Sequence, residues 1–318
     1  MRGRPGWPDA KIERLCGLLA AAVTFEEAAD QLEVSRNAIA GQVNRMRQKK
    51  DPRLPKIQPR GRRRGSQPRK AEHGGPLRRF AAYKPSGRGV VLAGEHPAVR
   101  DGTTLFPSRV VHASVVETLL KSALHQRKIG KTVMRGAWAG MPVYTLTLEE
   151  RRTCPRTCPV WSACYGNNMH FSERVIADEA FEIRLISELV ALNERHRDGF
   201  VVRLHILGDF YSPGYVDLWG WAMRSLPALR VFGYTARRRR GAIGNRVMAL
   251  NESYPDRWVI RFSGHAGAFG SIVIESKTDK PASAFICPSQ TGQVECCATC
   301  AACWQPGLTP RAVAFLRH

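Results

Sequence analysis

In TCPRTCPVWSACYGNNMH, residues 153–170, Cys154, Cys158 and Cys164 lie within eleven residues, accompanied by two prolines and the aromatic pair Trp161 and Tyr165. Clustered thiols have little use as disulfides in a reducing compartment. Gathered this closely, they point to metal ligation, by zinc or an iron–sulfur cluster. A second set follows: Cys287 with Cys296, Cys297, Cys300 and Cys303. The run Cys297-x2-Cys300-x2-Cys303 suits an iron–sulfur cube better than zinc, which usually takes two separated cysteine pairs. Cys287, followed by Pro288, supplies a fourth thiolate from a neighbouring loop. Spacing leaves open whether Cys296 or Cys297 is the ligand, although the x2 rhythm favours Cys297. Zinc stays open as the alternative metal. The ninth cysteine, Cys16, falls on an apolar helical stripe and reads as core.

The elements that must position these thiols alternate between two periods. PVYTLTL (142–148) reads as a β-rich run leading into the first cysteine loop. A short helix is expected over 114–124. A long one is expected over 171–197, with Ile176, Ala180, Ile183, Ile186, Leu189 and Val190 at helical spacing. A strand over 201–211, broken at Gly208, leads to a helix over 213–225. A strand over 229–236 and a helix near 241–253 come next, then strands over 258–264 and 271–276. This alternation predicts βαβ units, an α/β fold and a parallel sheet. Ligands gather at the carboxyl ends of parallel strands. Those ends carry the first cysteine loop, Gly208-Asp209-Phe210, Thr235-Ala236-Arg237 and Ser263-Gly264-His265. Asp209, Arg237 and His265 are therefore the candidate catalytic or substrate contacts. The second cysteine set is expected to close the domain beyond the last strand.

The formal charge is +22, and it is unevenly placed: residues 1–90 hold 21 of the 49 Lys and Arg but only 8 of the 27 Asp and Glu. Such a bias points to a polyanionic partner, DNA above all. Residues 9–22 carry Ile12, Leu15, Cys16 and Leu19 at helical spacing. Thr24 and Glu27 have capping-box spacing for a second helix from Phe25, and Ser35 can cap a third with the stripe Ile39, Val43 and Met46. The expectation is a small all-α helix-turn-helix domain over 1–50, with Arg36, Asn37, Gln42 and Arg45 facing outward to bases and phosphates. Residues 51–90 hold 12 Lys and Arg against 2 Asp and Glu, with frequent Pro and Gly. They read as a basic, disordered linker. The α/β metal-binding domain then spans 91–318.

Two resemblances follow from these motifs. Trp7 and SRNAIAGQVNRMR resemble the N-terminal domain of GcrA-type cell-cycle regulators over residues 7–47, with Glu33 where such turns often place Gly. KIGKTVMRGAWAGMPVYTLTLEERRTCPRTC, CYGNNMH, LHILGDFYS, FGYTA and CPSQTG followed by CATCAACW resemble the phage "gene product 88" family over residues 110–310. A strand, a three-cysteine loop, a long helix and then a strand ending in a Gly-acidic turn is also similar to the first half of a radical S-adenosylmethionine enzyme. That likeness implies a partial β/α barrel. It also implies a [4Fe–4S] cluster on Cys154, Cys158 and Cys164, with S-adenosylmethionine held at Gly208 and Asp209. Here the cysteine spacing is x3 then x5 rather than x3 then x2, Tyr165 follows the last cysteine, and Asp209 replaces Glu.

The start of the chain lacks the apolar core of a secretory signal, and no stretch approaches the length of a membrane span. A cytoplasmic protein with no membrane partner is expected. The functions consistent with these features are an iron–sulfur enzyme brought to nucleic acid, and a non-enzymatic DNA-binding regulator whose cysteine sets are structural or redox-sensing.

Overall fold

Residues 7–21, 23–55, 89–126 and 128–317 are described by the computed structural model. Contacts divide the chain into two units, Met1–Arg78 and Arg79–His318. Most of the expected linker, 56–88, lies outside the described residues.

Among its described residues the first unit has three helices, α1 (Asp9–Ala20), α2 (Phe25–Gln31) and α3 (Arg36–Gln48). Their starts follow the capping residues. The Thr24 hydroxyl accepts from the Glu27 N–H at 3.1 Å while the Glu27 carboxylate accepts from the Thr24 N–H at 2.8 Å, and the Ser35 hydroxyl accepts from the Ala38 N–H at 3.2 Å. Each bond satisfies a helix-end group that would otherwise lack a partner. Leu15, Leu19, Ala28, Ala29, Leu32, Ile39 and Val43 form the core, and Cys16 packs with Ile12 and Met46. In the turn, Glu33 takes φ 51°, the left-handed conformation that glycine adopts at least cost. Arg36, Asn37 and Arg45 are exposed. Gln42 is not: it is buried beside Val43, and its Oε1 accepts from the Arg45 guanidinium at 2.7 Å. It lies on the Ile39–Met46 stripe, so the outward role expected of it is corrected.

The second unit is mixed α/β. Its elements in order are α4 (Pro97–Asp101), β1 (Val110–Val111), β2 (Lys121–Ser122), β3 (Val143–Thr145), β4 (Arg174–Val175), α5 (Glu179–Arg195), β5 (Phe200–Leu204), α6 (Pro213–Ser225), β6 (Leu229–Thr235), α7 (Ala242–Ser253), β7 (Trp258–Ser263), β8 (Gly270–Ile274), β9 (Ala284–Ile286), α8 (Cys297–Cys300) and β10 (Ala312–Leu316). β1 and β4 form a small parallel ladder. The main sheet has eight strands in the order β2-β3-β5-β6-β7-β8-β10-β9, all parallel except the β2–β3 pair. β3, β5, β6, β7 and β8 are neighbours in chain order, so their right-handed crossovers put α5, α6 and α7 on one face. Phe200, Val202, Leu204, Val231, Trp258 and Ile260 pack against those helices. The alternate residues Val143, Val201, Phe232 and Val259 face the other way, onto Trp138 and Trp304.

Three expectations need correction. No helix covers 114–124: that stretch holds a short turn at Ala113–Val115 and the edge strand β2. The long helix starts only at Glu179, where Asp178 caps it by accepting from the Phe181 N–H at 2.8 Å. Its buried stripe is Phe181, Leu185, Leu189 and Leu192, and Ile183 is 61% exposed. Finally, the second cysteine set does not close the domain. β10 follows it and inserts between β8 and β9, parallel to both. Its five residues, AVAFL, carry no alternation by which a strand could be told from any short apolar run.

Candidate metal centres

The first cysteine loop grows out of the end of β3. Leu146 and Leu148 continue that strand alongside β5, with the Leu148 N–H donating to the Leu207 carbonyl at 3.1 Å. At Gly208 the chain turns with φ 86°. A Cβ there would stand 2.7 Å from both Leu148 Cβ and Thr153 Oγ1, so no larger residue fits without displacing the loop. Thr153 then binds the rim together: its hydroxyl accepts from the Asp209 N–H at 3.2 Å, and its carbonyl accepts from Arg237 Nη2 at 2.6 Å. Arg237 Nε also donates to the Phe210 carbonyl at 2.7 Å.

Asp209 is 2% exposed and fully engaged. Its Oδ1 accepts from the Phe210 N–H and the Thr235 hydroxyl, and its Oδ2 from the Ala236 N–H, each at 2.7 Å. Burial pushes its carboxyl up to about 6 against the pull of these hydrogen bonds. The end of β6 thus meets the Asp209 carboxylate, and the start of the cysteine loop meets the Asp209 N–H.

Cys154, Cys158 and Cys164 lie beside this knot. Cys158 and Cys164 act electrostatically on Cys154, Cys158 acts on Cys164, and Asp209 acts on Cys154 and Cys158. Burial, more than those neighbours, raises all three thiols, Cys164 to about 11. A metal taken up here must displace those protons. Beneath the loop, Arg174 pairs with Glu150 at 2.8 Å, both side chains essentially unexposed, and the Thr104 hydroxyl donates to Glu150 at 2.7 Å. Arg174 also donates to the Gly166 and Met169 carbonyls at 3.1 Å, and Arg151 to the carbonyls of Thr103 at 3.1 Å and Trp161 at 3.3 Å. Buried guanidinium groups therefore fix the loop's backbone from below. His265 stands apart from this rim network: its Nε2 lies 3.0 Å from Arg239 Nη1, and no hydrogen bond among the described residues joins it to Asp209, Arg237 or the thiols.

The second set lies on the sheet face opposite α5–α7. α8 is held by the Cys297 and Ala298 N–H groups, which donate to the Lys128 and Ile129 carbonyls at 2.8 and 2.7 Å. Cys287 is anchored at the end of β9 by donating its N–H to Ala314 of β10 at 2.9 Å. Cys287 acts electrostatically on Cys297, Cys300 and Cys303, so the four thiols expected to group together share one neighbourhood. The Cys296 sulfur lies 2.8 Å from where a Gly130 Cβ would stand and 3.6 Å from the Thr299 hydroxyl, and it too acts on Cys300.

Reading the sequence missed three residues that face this set. Arg203, Tyr234 and Arg261 occupy alternate-face positions of β5, β6 and β7, and Tyr234 is the direct partner of Arg261 in register. The only signal was a charged residue at the same phase in two otherwise apolar strands, VVRLH and VIRFS. His205 was missed as well. It is buried, its Nε2 lies 3.1 Å from the Tyr215 hydroxyl, and its Nδ1 has no partner.

Comparison with family models, curated proteins and solved structures finds no match to this chain. Among the described residues, no group of three or more His, Cys, Asp or Glu side chains stands assembled as a site for a metal ion. The thiols gather in two neighbourhoods without closing to the spacing that one shared ion imposes. Sulfur-only donor sets have the chemistry that a soft metal or an iron–sulfur cluster takes. No helix among the described residues is long and apolar enough to cross a membrane.

Proposed function

We propose that this chain is a phage-type iron–sulfur protein of the gene product 88 kind, with a DNA-binding N-terminal unit and a partial β/α barrel of radical S-adenosylmethionine type. The observation that carries this reading is the placement of Cys154 and Cys158, with Cys164 close to both Cys154 and Cys158, beside the Asp209 knot past the carboxyl ends of β3, β5 and β6. The sequential order of the parallel strands, with helices on one face, supports the barrel. Cys154, Cys158 and Cys164 would hold one cluster, and Cys287, Cys297, Cys300 and Cys303 the other. Three thiolates leave one iron of a cube open to a small molecule, as an open zinc site does, whereas four leave none. Arg36, Asn37 and Arg45, all exposed on α3, would serve the nucleic acid.

A second reading is favoured by Asp209 itself. Its carboxylate oxygens and its N–H are all engaged, which suits a rigid rim and a regulator whose cluster is structural or redox-sensing. One experiment separates the two. Protein purified without oxygen is reduced, and its electron paramagnetic spectrum is recorded with and without S-adenosylmethionine, alongside the products of its reductive cleavage. The enzyme reading expects a changed spectrum and cleavage, both abolished in Cys158→Ala. A spectrum unmoved by any added molecule favours the regulator.

A further inference from the structure

Arg261 has no exposed surface, yet it meets no carboxylate among the described residues. Its guanidinium donates to four backbone carbonyls: Cys303 at 2.7 Å, Gly270 at 3.2 Å, Arg311 at 2.8 Å and Leu308 at 3.1 Å. Arg203, two strands away on the same face, lies over the rings of Phe232 at 5.5 Å and Tyr234 at 4.9 Å. Its polar partners are the carbonyls of Leu204 and His205, and no ion pair among the described residues includes it. Taking a cation out of water is costly unless negative charge meets it, and dipoles and ring faces compensate only in part. Cys297 and Cys303 pack against this face of the sheet. The groups of negative character that act on the two cations are Tyr234, Cys297 and Cys303 for Arg203, and Cys303 and Tyr234 for Arg261. Between them, the Tyr234 hydroxyl faces the Cys303 sulfur closely enough for each to act on the other.

We infer that Arg203, Tyr234 and Arg261 are a built-in counter-charge for an anionic metal–thiolate centre on Cys287, Cys297, Cys300 and Cys303, and that they set its reduction potential. This rests on the reading of the second cysteine set as an iron–sulfur site. Positive charge beside a cluster stabilises the reduced, more negative form, and a hydroxyl donated to a ligand sulfur draws electron density from the iron. Both raise the potential, and neither residue needs to be a ligand. Arg261 also ties the cluster-bearing loop to β7 through the Cys303 carbonyl, so its replacement would disturb the fold as well as the charge. Arg203 and Tyr234 are the cleaner probes.

The test uses full-length protein purified without oxygen, with iron and sulfide assayed before a spectroelectrochemical titration. The Cys158→Ser variant identifies which redox wave belongs to the rim, leaving the other for the second centre. Arg203→Met and Tyr234→Phe should load iron and sulfide as the parent does, and each should shift the second wave to lower potential. Arg203→Lys, which keeps the charge, should bring the wave most of the way back to the parent's. An unmoved wave at full iron content in both variants overturns the assignment. Should Arg203→Met prove insoluble, Tyr234→Phe decides alone. Parent protein with zinc, or without iron and sulfide, sinks the iron–sulfur reading itself, and this assignment with it.

Discussion

His205 shows how far one buried side chain can set the behaviour of the fold. Burial, with Arg203 adding to it, pulls its pKa from 6.5 down to about 3. The ring packs between Phe210 and Tyr215, with centroids 5.0 and 5.8 Å away, and stays neutral. As pH falls through 6.5 the unfolded chain gains a proton that the folded one refuses until about 3. Stability therefore declines across that window, by up to about 1.4 kcal/mol per pH unit from this group. Asp209 acts the other way below about 6, because its raised carboxyl takes up a proton in the folded chain first. The test is therefore the difference between the two proteins: in urea titrations from pH 7.5 to 4, His205→Phe should lose less stability on acidification than the parent. An unchanged acid-side slope in the variant would mean the ring is not held neutral. The Glu150–Arg174 pair gives a second residue-scale expectation. Arg174→Met leaves a carboxylate buried with one hydroxyl partner, and should destabilise the second unit by roughly 3–5 kcal/mol, or leave Glu150 protonated. Thermal melts of the variant at pH 5 and pH 8 read which: only the second outcome gains stability on acidification.

Among the elements, α3 carries the clearest expectations. Ser35→Ala removes its cap bond and should cost about 1 kcal/mol. Arg36→Ala should weaken duplex DNA binding while leaving the melting temperature close to the parent's. Arg45→Ala should weaken binding and also lower the melting temperature, because it takes away the donor to the buried Gln42. Gln42→Ala should act mainly on stability, because its side chain lies inside. Fluorescence anisotropy beside melting curves would distinguish the two effects; a purely stability-linked loss for the arginines would remove α3 from the interface. These elements were legible in the sequence to different degrees, for physical reasons. Caps and long alternations between strand and helix announced α2, α3, α6, α7 and β6 to β8 within a residue or two, and the start of β5, whose end at Leu204 was drawn seven residues too far, to 211. β9 and β10 were not visible, because three and five apolar residues carry too little period. The true face of α5 was missed because Ile183 and Ile186 formed an apolar row beside Phe181, Leu185 and Leu189, and only packing against the sheet decides between them. The thiol groups were plain from spacing. Arg261, buried in β7, and Arg203, half-buried in β5, became meaningful only once register placed them on the face of the second set.

For the whole molecule, charge and metal are separable expectations. A nucleic-acid partner reached through the basic N-terminal third should show affinity falling steeply with salt. Deleting residues 53–70 should lower that slope by about one unit for each phosphate that the shortened chain no longer neutralises. Equal slopes in the two proteins would remove this segment from the interface. The two-cluster reading is met most directly by the metal itself. Iron, zinc and acid-labile sulfide should be measured, with an absorption spectrum, in full-length protein purified without oxygen and in its Cys16→Ala and Cys300→Ala variants. The account predicts iron and sulfide in equal amounts with the broad visible absorption of cubes. Both should be unchanged in Cys16→Ala, whose thiol lies in the α1 core, and should fall by about half in Cys300→Ala. A colourless protein holding zinc or no metal, or a Cys300→Ala variant with its iron undiminished, would contradict it.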